Sequence, residues 1–308
     1  MILLFRSVVL LILLSVTLAS CGCRAIRRFG DSRQSIAARR LSGQGFQAMH
    51  DGRWEVAESL FTDALDISQA DDRAHWGLAE SYWNRGDKEL AAQQMEQAVR
   101  LSAGDPRFVG RLGEMYLELG RLAEADQHSQ MALSGSRDSP EAWRLRGDCL
   151  RAAGQADEAL GAYHRALALQ PDFPAVQIQA ADIYRSQERF DRLLATLDQL
   201  EDSMGADKTP SRADLLQGIA LRKMGRSGEA RRSFVRAGQK DPGDAAPHLE
   251  LAMLALDEGD FVSADLFVQT ALSIDPAKVE EERWATIFEQ QQQQRLAADR
   301  NPVSTLNR

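Results

Sequence analysis

The chain has 308 residues, a net charge of −8, 44 % hydrophobic residues and 27 % charged residues. Aromatics are 6 % and prolines number nine, which excludes a proline-rich disordered chain and a β-sandwich-like composition. Three cysteines, Cys21, Cys23 and Cys149, are too few for a disulfide scaffold or a four-ligand zinc site, and the acidic balance argues against general nucleic-acid binding.

Residues 1–20 carry one charge, Arg6, followed by the apolar run Val8-Val9-Leu10-Leu11-Ile12-Leu13-Leu14. That run is shorter than the roughly 20 residues needed to span a bilayer. Its length and its basic start fit a signal peptide. The segment ends in Leu18-Ala19-Ser20-Cys21. This resembles the lipobox of bacterial lipoproteins, and the resemblance implies that Cys21 becomes the lipidated N-terminus after cleavage. Gly22, in place of Asp, implies sorting outward to a periplasm-facing outer membrane. Loss of Arg6 takes the net charge from −8 to −9. Residues 21–40 hold six arginines (Arg24, Arg27, Arg28, Arg33, Arg39, Arg40) against Asp31. A basic tether beside a lipid anchor favours anionic headgroups.

The body of the chain is periodic. Glycines stand at Gly52, Gly86, Gly120 and Gly154, and again at Gly225 and Gly259, at intervals of 34. Five residues after each comes an alanine: Ala57, Ala91, Ala125, Ala159, Ala230, Ala264. Seven further on comes another: Ala64, Ala98, Ala132, Ala166, Ala237, Ala271. Apolar residues recur at three and four within each half-repeat, as amphipathic helices require. The glycine falls where one helix must reverse into the next, a place for positive φ. The small residues allow close helix approach, and each hairpin must stack on its neighbours to bury its apolar face.

Several side chains give this period a family likeness. Trp143 fills a first aromatic slot, and Leu78-Ala79 and Leu112-Gly113 a Leu-Gly slot whose second position is also Gly147 and Gly218. Tyr82, Tyr116 and Tyr184 fill a tyrosine slot; Phe61, Tyr163 and Phe234 a second-helix aromatic slot; Pro171, Pro242 and Pro276 close their repeats. The chain resembles the tetratricopeptide repeat family. The resemblance implies an all-α, right-handed superhelical solenoid of about seven helix-turn-helix repeats plus a C-terminal capping helix. In phase, the repeats are 38–71, 72–105, 106–139, 140–173, 174–207, 211–244 and 245–278, all within a solenoid over 38–278. Ahead of it lie the signal peptide, 1–20, and the tether, 21–37.

The fifth repeat is irregular. Glu188 stands in the glycine slot, Leu193 and Leu200 in the alanine slots, and Lys208-Thr209-Pro210 is an insertion. Bulk in place of small residues points either to a kink that splits the repeats into four plus two or to one degenerate, mildly misfit repeat. Beyond the last repeat, 279–299 reads as a capping helix with Trp284, Ile287 and Phe288 on one face and Gln290 to Gln294 at its exposed end. Residues 300–308 read as a frayed tail.

In the resembled family, positions 2, 5, 9 and 12 of each repeat face the concave groove where partners bind. Position 9 here is an acidic ladder, Glu80, Glu114, Asp148 and Asp182. Arg73, Trp76, Trp83, Arg107, Arg144, Arg151 and Arg185 complete the expected groove. The groove is thus expected to be acidic and aromatic at its N-terminal end and mixed in charge beyond. It would suit an extended or helical protein segment with basic and apolar side chains. The pairs Asp148–Arg151 and Asp182–Arg185 have i,i+3 spacing, and neutralisation of these charges on a solvated face is the competing expectation. Ser42 and Phe46 stand where chaperone-type repeats carry Lys and Asn, so no terminal-carboxylate clamp is expected.

Catalytic signals are lacking. The five histidines are scattered, without metal-ligand spacing, and there is no nucleophile elbow or P-loop. Gly43-Gln44-Gly45-Phe46-Gln47-Ala48 mimics a dinucleotide fingerprint but lies in repeat register and follows no strand. Cys149 reads as a small buried hydrophobe, and Cys23 as a free or paired thiol. The expectation is a membrane-anchored lipoprotein acting as a scaffold or adaptor in the bacterial cell envelope, without catalysis, cofactor, metal or nucleic acid. A pilotin-like assembly factor and a small-molecule or glycan-binding module around Trp76 and Trp83 are the alternatives.

Overall fold

The computed structural model describes residues 33–277. Among the described residues every regular element is an α-helix. Helix α1 covers 33–50, so it begins inside the stretch assigned above to the tether. There follow α2 (Trp54–Ile67), α3 (Asp72–Arg85), α4 (Lys88–Leu101), α5 (Pro106–Glu118), α6 (Leu122–Gly135) and α7 (Pro140–Ala152). Then come α8 (Ala156–Leu169), α9 (Pro174–Ser186), α10 (Phe190–Met204), α11 (Ser211–Lys223), α12 (Ser227–Lys240), α13 (Ala246–Asp257) and α14 (Phe261–Ile274). The signal peptide, Cys21, Cys23, the capping helix and the tail lie outside the described residues. Among the described residues no helix is long and apolar enough to cross a membrane.

The helices group into two compact units, Met1–Gln155 with α1–α7 and Ala156–Arg308 with α8–α14. In the first unit α3 pairs with α4 and α5 with α6; each hairpin meets the next through α2–α3, α4–α5 and α6–α7. In the second, α9 pairs with α10, α11 with α12 and α13 with α14, joined through α10–α11 and α12–α13. Odd-numbered helices also touch one another, α5 against α7, and α11 against both α9 and α13.

Local chemistry accounts for each hairpin. The first helix begins on a capping side chain in several repeats. Asp71 accepts from the backbone N–H groups of Arg73 and Ala74 at 3.1 and 3.2 Å, and Ser139 from that of Ala142 at 3.1 Å. Asp71 is also buried and accepts from Ser42 Oγ at 3.1 Å, which ties α1 to the start of α3. That first helix ends on a left-handed residue, as at Gly86, with φ of 95°. Here the N–H of Gly86 donates to Trp83 and that of Asp87 to Tyr82, at 3.1 and 2.9 Å. All the alanines of the two periodic series are buried. The aromatic of the second helix then fills the space that glycines leave. A Cβ at Gly77 would come within 2.2 Å of the fully buried Phe61 ring, and one at Gly45 within 2.6 Å.

The fifth repeat packs as a hairpin against α11 within the second unit. Leu193 and Leu200 are fully buried, and α9 and α10 both pack on α11 within one compact unit. Glu188 adopts φ of 56° and takes the place of glycine in the turn. Its N–H donates to Arg185 at 3.1 Å and that of Arg189 to Tyr184 at 2.8 Å, the same pattern as at Gly86. The larger leucines are accommodated as core rather than pushing the helices apart. The boundary between the compact units falls at Gln155, in the fourth repeat.

Candidate functional site

The odd-numbered helices of the first unit present the richest face. An aromatic row crosses three of them: Phe46 on α1 lies 4.7 Å from Trp76 on α3, and Trp76 lies 5.3 Å from Phe108 on α5. Arg73 sits over the Phe46 ring at 5.4 Å. Trp83 is flanked by two cations, Lys88 at 5.1 Å and Arg111 at 5.5 Å. Trp76 and Trp83 are both half-buried.

An ion-pair ladder runs beside the aromatics. Arg111 on α5 donates from Nε and Nη2 to the two carboxylate oxygens of Glu80 on α3, each at 2.8 Å, and from Nη1 to Glu114 at 3.0 Å. Arg144 on α7 then reaches back to Glu114 and holds Asp148 at 2.7 Å. Trp76 Nε1 donates to Glu80 at 3.3 Å. Burial works to lower the Arg111 pKa, but its bonds to Glu80 and Glu114 outweigh it and raise the value above the usual arginine range. The ladder therefore alternates acid and base across three helices.

This alters the expected electrostatics. Glu80, Glu114 and Asp148 do share one face, as the position pattern anticipates, but they do not form an open acidic strip. Their side chains are only 18 %, 26 % and 11 % exposed, each against an arginine. Arg111 was missing from the expected set because it lies at repeat position 6, outside the positions used for the groove. The signal that finds it is its offset of 31 residues from Glu80, close to one repeat. Asp148 pairs with Arg144, and Arg151 stands exposed at the end of α7. Arg107 pairs with Asp105, the N-cap of α5, at 2.8 Å while its side chain stays 81 % exposed.

Asp182 and Arg185 belong to the second unit. Asp182 on α9 accepts from Arg212 on α11 at 2.9 Å and from Arg185 at 3.4 Å. Nearby on the same set of helices, Arg222 pairs with Glu250 at 3.2 Å and with Asp257 at 3.0 Å.

Two cavities open on the first unit. The smaller, about 160 Å³, is lined by Trp76, Glu80, Arg107, Phe108 and Arg111. The larger, about 680 Å³, lies among α5, α6 and α7, with Pro106, Gly110, Ala132, Gly135, Ala142 and Leu145 as its apolar lining. Arg107 and Arg111 line both. Among the described residues no group of three or more His, Cys, Asp or Glu side chains is placed to hold a metal ion. Cys149 is buried in α7; burial first, then the Asp126 charge, push its thiol up to about 11.

Comparison with known proteins agrees with the repeat pattern. One family model described as the tetratricopeptide repeat matches residues 140–173, and another with the same description matches 48–106 and 215–278. No curated protein matches the chain. Among solved structures, PilF of Pseudomonas aeruginosa is similar at 18 % identity and a TM-score of 0.61, covering 70 % of this chain and 96 % of that one. A tetratricopeptide repeat protein of Parabacteroides merdae is similar at 14 % identity and a TM-score of 0.63, covering 82 % and 99 %. PilW, a type IV pilus biogenesis factor, is similar at 18 % identity and a TM-score of 0.60, covering 67 % and 94 %. At these identities the likeness is one of fold. With its 34-residue period, its hairpins and the family models in register, the chain belongs to the tetratricopeptide repeat family.

Proposed function

We propose that this chain is a non-catalytic scaffold that binds another protein on the odd-numbered helix face of its first unit, and that Cys21 tethers it to a bacterial envelope membrane. The observation that supports the binding role is the row Phe46–Trp76–Phe108, in which Phe46 and Trp76 are half-buried and Phe108 is buried, with the smaller cavity against Trp76 and Phe108 and arginines around it. Aromatic and arginine side chains are the usual centres of protein interfaces. The membrane tether rests on Leu18-Ala19-Ser20-Cys21, and a multiply acylated cysteine supplies the two or more chains that stable anchoring requires.

Fold similarity to PilW, a type IV pilus biogenesis factor, supports one role within that reading, an assembly factor for an envelope pilus or secretion complex; a position facing the periplasm from the outer membrane rests on Gly22 after Cys21. Intact-mass analysis of the membrane fraction, with Cys21→Ala alongside, tests the tether. The expected mass is that of residues 21–308 plus acyl chains, with the variant released or left unprocessed. An unmodified mass that includes residues 1–20 would overturn the lipoprotein assignment.

A further inference from the structure

Helix α1 is built unlike the first helices of the later hairpins. Position 3 of the repeat is buried Ala74 on α3 and buried Phe108 on α5, and position 10 is buried Ser81 and buried Met115. Ala74 packs on the preceding hairpin, against Ala38 of α1 and Ala64 of α2. On α1 the same two positions carry Arg40 and Gln47, both exposed. The outward face of α1 is therefore polar and does not suit a further hairpin stacked ahead of it.

That face carries charge of one sign. Arg33, Ile36 and Arg40 follow one another at i,i+3 and i,i+4 spacing, opposite buried Ala38 and Ser42, and Arg39 flanks them. All four are exposed, Ile36 to 67 %. The helix, 33–50, contains no acid. The carboxylates on the elements packed against its first half are Asp63 and Asp66 on α2 and Asp71 and Asp72 at the start of α3. Asp71 is buried and already accepts from Ser42 Oγ and two backbone N–H groups. Among the described residues none of these acids forms an ion pair with Arg33, Arg39 or Arg40. Arg111 and Arg144, by contrast, are each held by two carboxylates.

An arginine without a carboxylate partner keeps its donors for a phosphate. An exposed isoleucine between such arginines suits the boundary layer of a bilayer, where apolar side chains are buried and cations meet anionic headgroups. A soluble anion would leave Ile36 without a role. The bilayer is also within reach, because α1 starts at residue 33, twelve after Cys21, which is at most about 40 Å of extended chain. We infer that the first turns of α1 are a membrane-docking surface, with Arg33, Arg39 and Arg40 on the phosphates of anionic lipids and Ile36 in the headgroup layer. This rests on the proposed tether at Cys21 and extends it: the membrane holds a folded helix of the repeat array as well as the chain ahead of it.

The test places a photocrosslinker, Ile36→p-benzoyl-phenylalanine, in the full chain, purified from the membrane and reconstituted in vesicles of phosphatidylcholine with or without one third phosphatidylglycerol. After irradiation, peptide mass spectrometry reads lipid adducts at position 36. The adduct is expected to be about tenfold more abundant with phosphatidylglycerol. It is expected to fall to the phosphatidylcholine level when Arg33→Gln, Arg39→Gln and Arg40→Gln are combined, with the circular dichroism melt unchanged. High salt should act as the triple variant does. The same crosslinker at Met131, exposed on α6, is expected to show no such rise. Equal adduct in the two vesicles, no lipid adduct in either, adduct to protein instead of lipid, an equal rise at Met131, or a rise that survives the triple variant would overturn the inference. The intact mass of the same sample keeps the two readings apart. Acyl chains present without a charge-dependent adduct leave the tether standing and remove the docking surface. Acyl chains absent remove the lipoprotein assignment, and the adduct at position 36 still decides the docking.

Discussion

Glu188→Gly is expected to stabilise the second unit. At the other helix reversals of the 34-residue period a glycine takes the left-handed turn, whereas the fifth repeat forces Glu188 to φ of 56°. The hydrogen bonds of that turn match those at Gly86, so the geometry is imposed by the hairpin rather than chosen by the glutamate. A left-handed conformation costs an L-residue roughly 1–2 kcal/mol. Glycine returns roughly 0.4–1 kcal/mol of that through its greater freedom in the unfolded chain. The Glu188 side chain is exposed, so little packing is lost with it. The net gain is about 0.5–1 kcal/mol, a rise of about 1–4 °C in Tm for a unit of this size. Thermal unfolding followed by circular dichroism reads the shift, and hydrogen exchange at the amides of α9 and α10 localises it. Gly120→Ala, at a regular turn with φ of 73°, should move the opposite way by about 1 kcal/mol. If Glu188→Gly were neutral or destabilising while Gly120→Ala lowered stability, the claim that the fifth turn stores strain would be refuted.

Two other outcomes follow from the packing. Gly77→Ala places a methyl within 2.2 Å of a fully buried ring, so urea unfolding should show a loss of about 1–3 kcal/mol, partly recovered by Phe61→Leu in the same chain. Cys149 should resist iodoacetamide at about pH 8 in the native protein and react in urea, because its thiol pKa lies at about 11 against 9.0 without the fold. The folded state holds that proton more tightly than the unfolded chain. The contribution is therefore complete below about pH 9 and lost as pH rises through about 11. Peptide mapping after alkylation checks the first point, and urea midpoints of wild type and Cys149→Ala on either side of that window check the second.

The hairpins were legible because their requirements are local. A glycine at the reversal, alanines where helices cross and an aromatic opposite a glycine are each satisfied within one or two repeats. The fifth repeat was ambiguous because a pattern treats Glu188, Leu193 and Leu200 as violations of equal weight. In the folded chain, the leucines become core and the glutamate is strained into the glycine conformation, so the hairpin persists. The face was legible in part. Position 9 places Glu80, Glu114 and Asp148 together, but a linear sequence does not state which arginine answers which acid. Arg111 reaches Glu80 across 31 residues, and that pairing changes the chemistry the face can offer.

The same device recurs in both units and clarifies what the charges are for. Arg111 links α5 to α3, and Arg144 links α7 to α5. In the second unit Arg212 links α11 to α9, and Arg222 links α11 to α13. Each bridge runs between the first helices of successive hairpins. A partly buried ion pair adds little net stability, since desolvation offsets most of its attraction, yet removing one partner is costly. Such pairs therefore penalise a slip of one hairpin against the next more than they strengthen the correct stack. Apolar contacts between alanines and leucines tolerate small slides, whereas a bidentate arginine on a carboxylate does not. On this reasoning the conspicuous acidic ladder serves the register of the repeats.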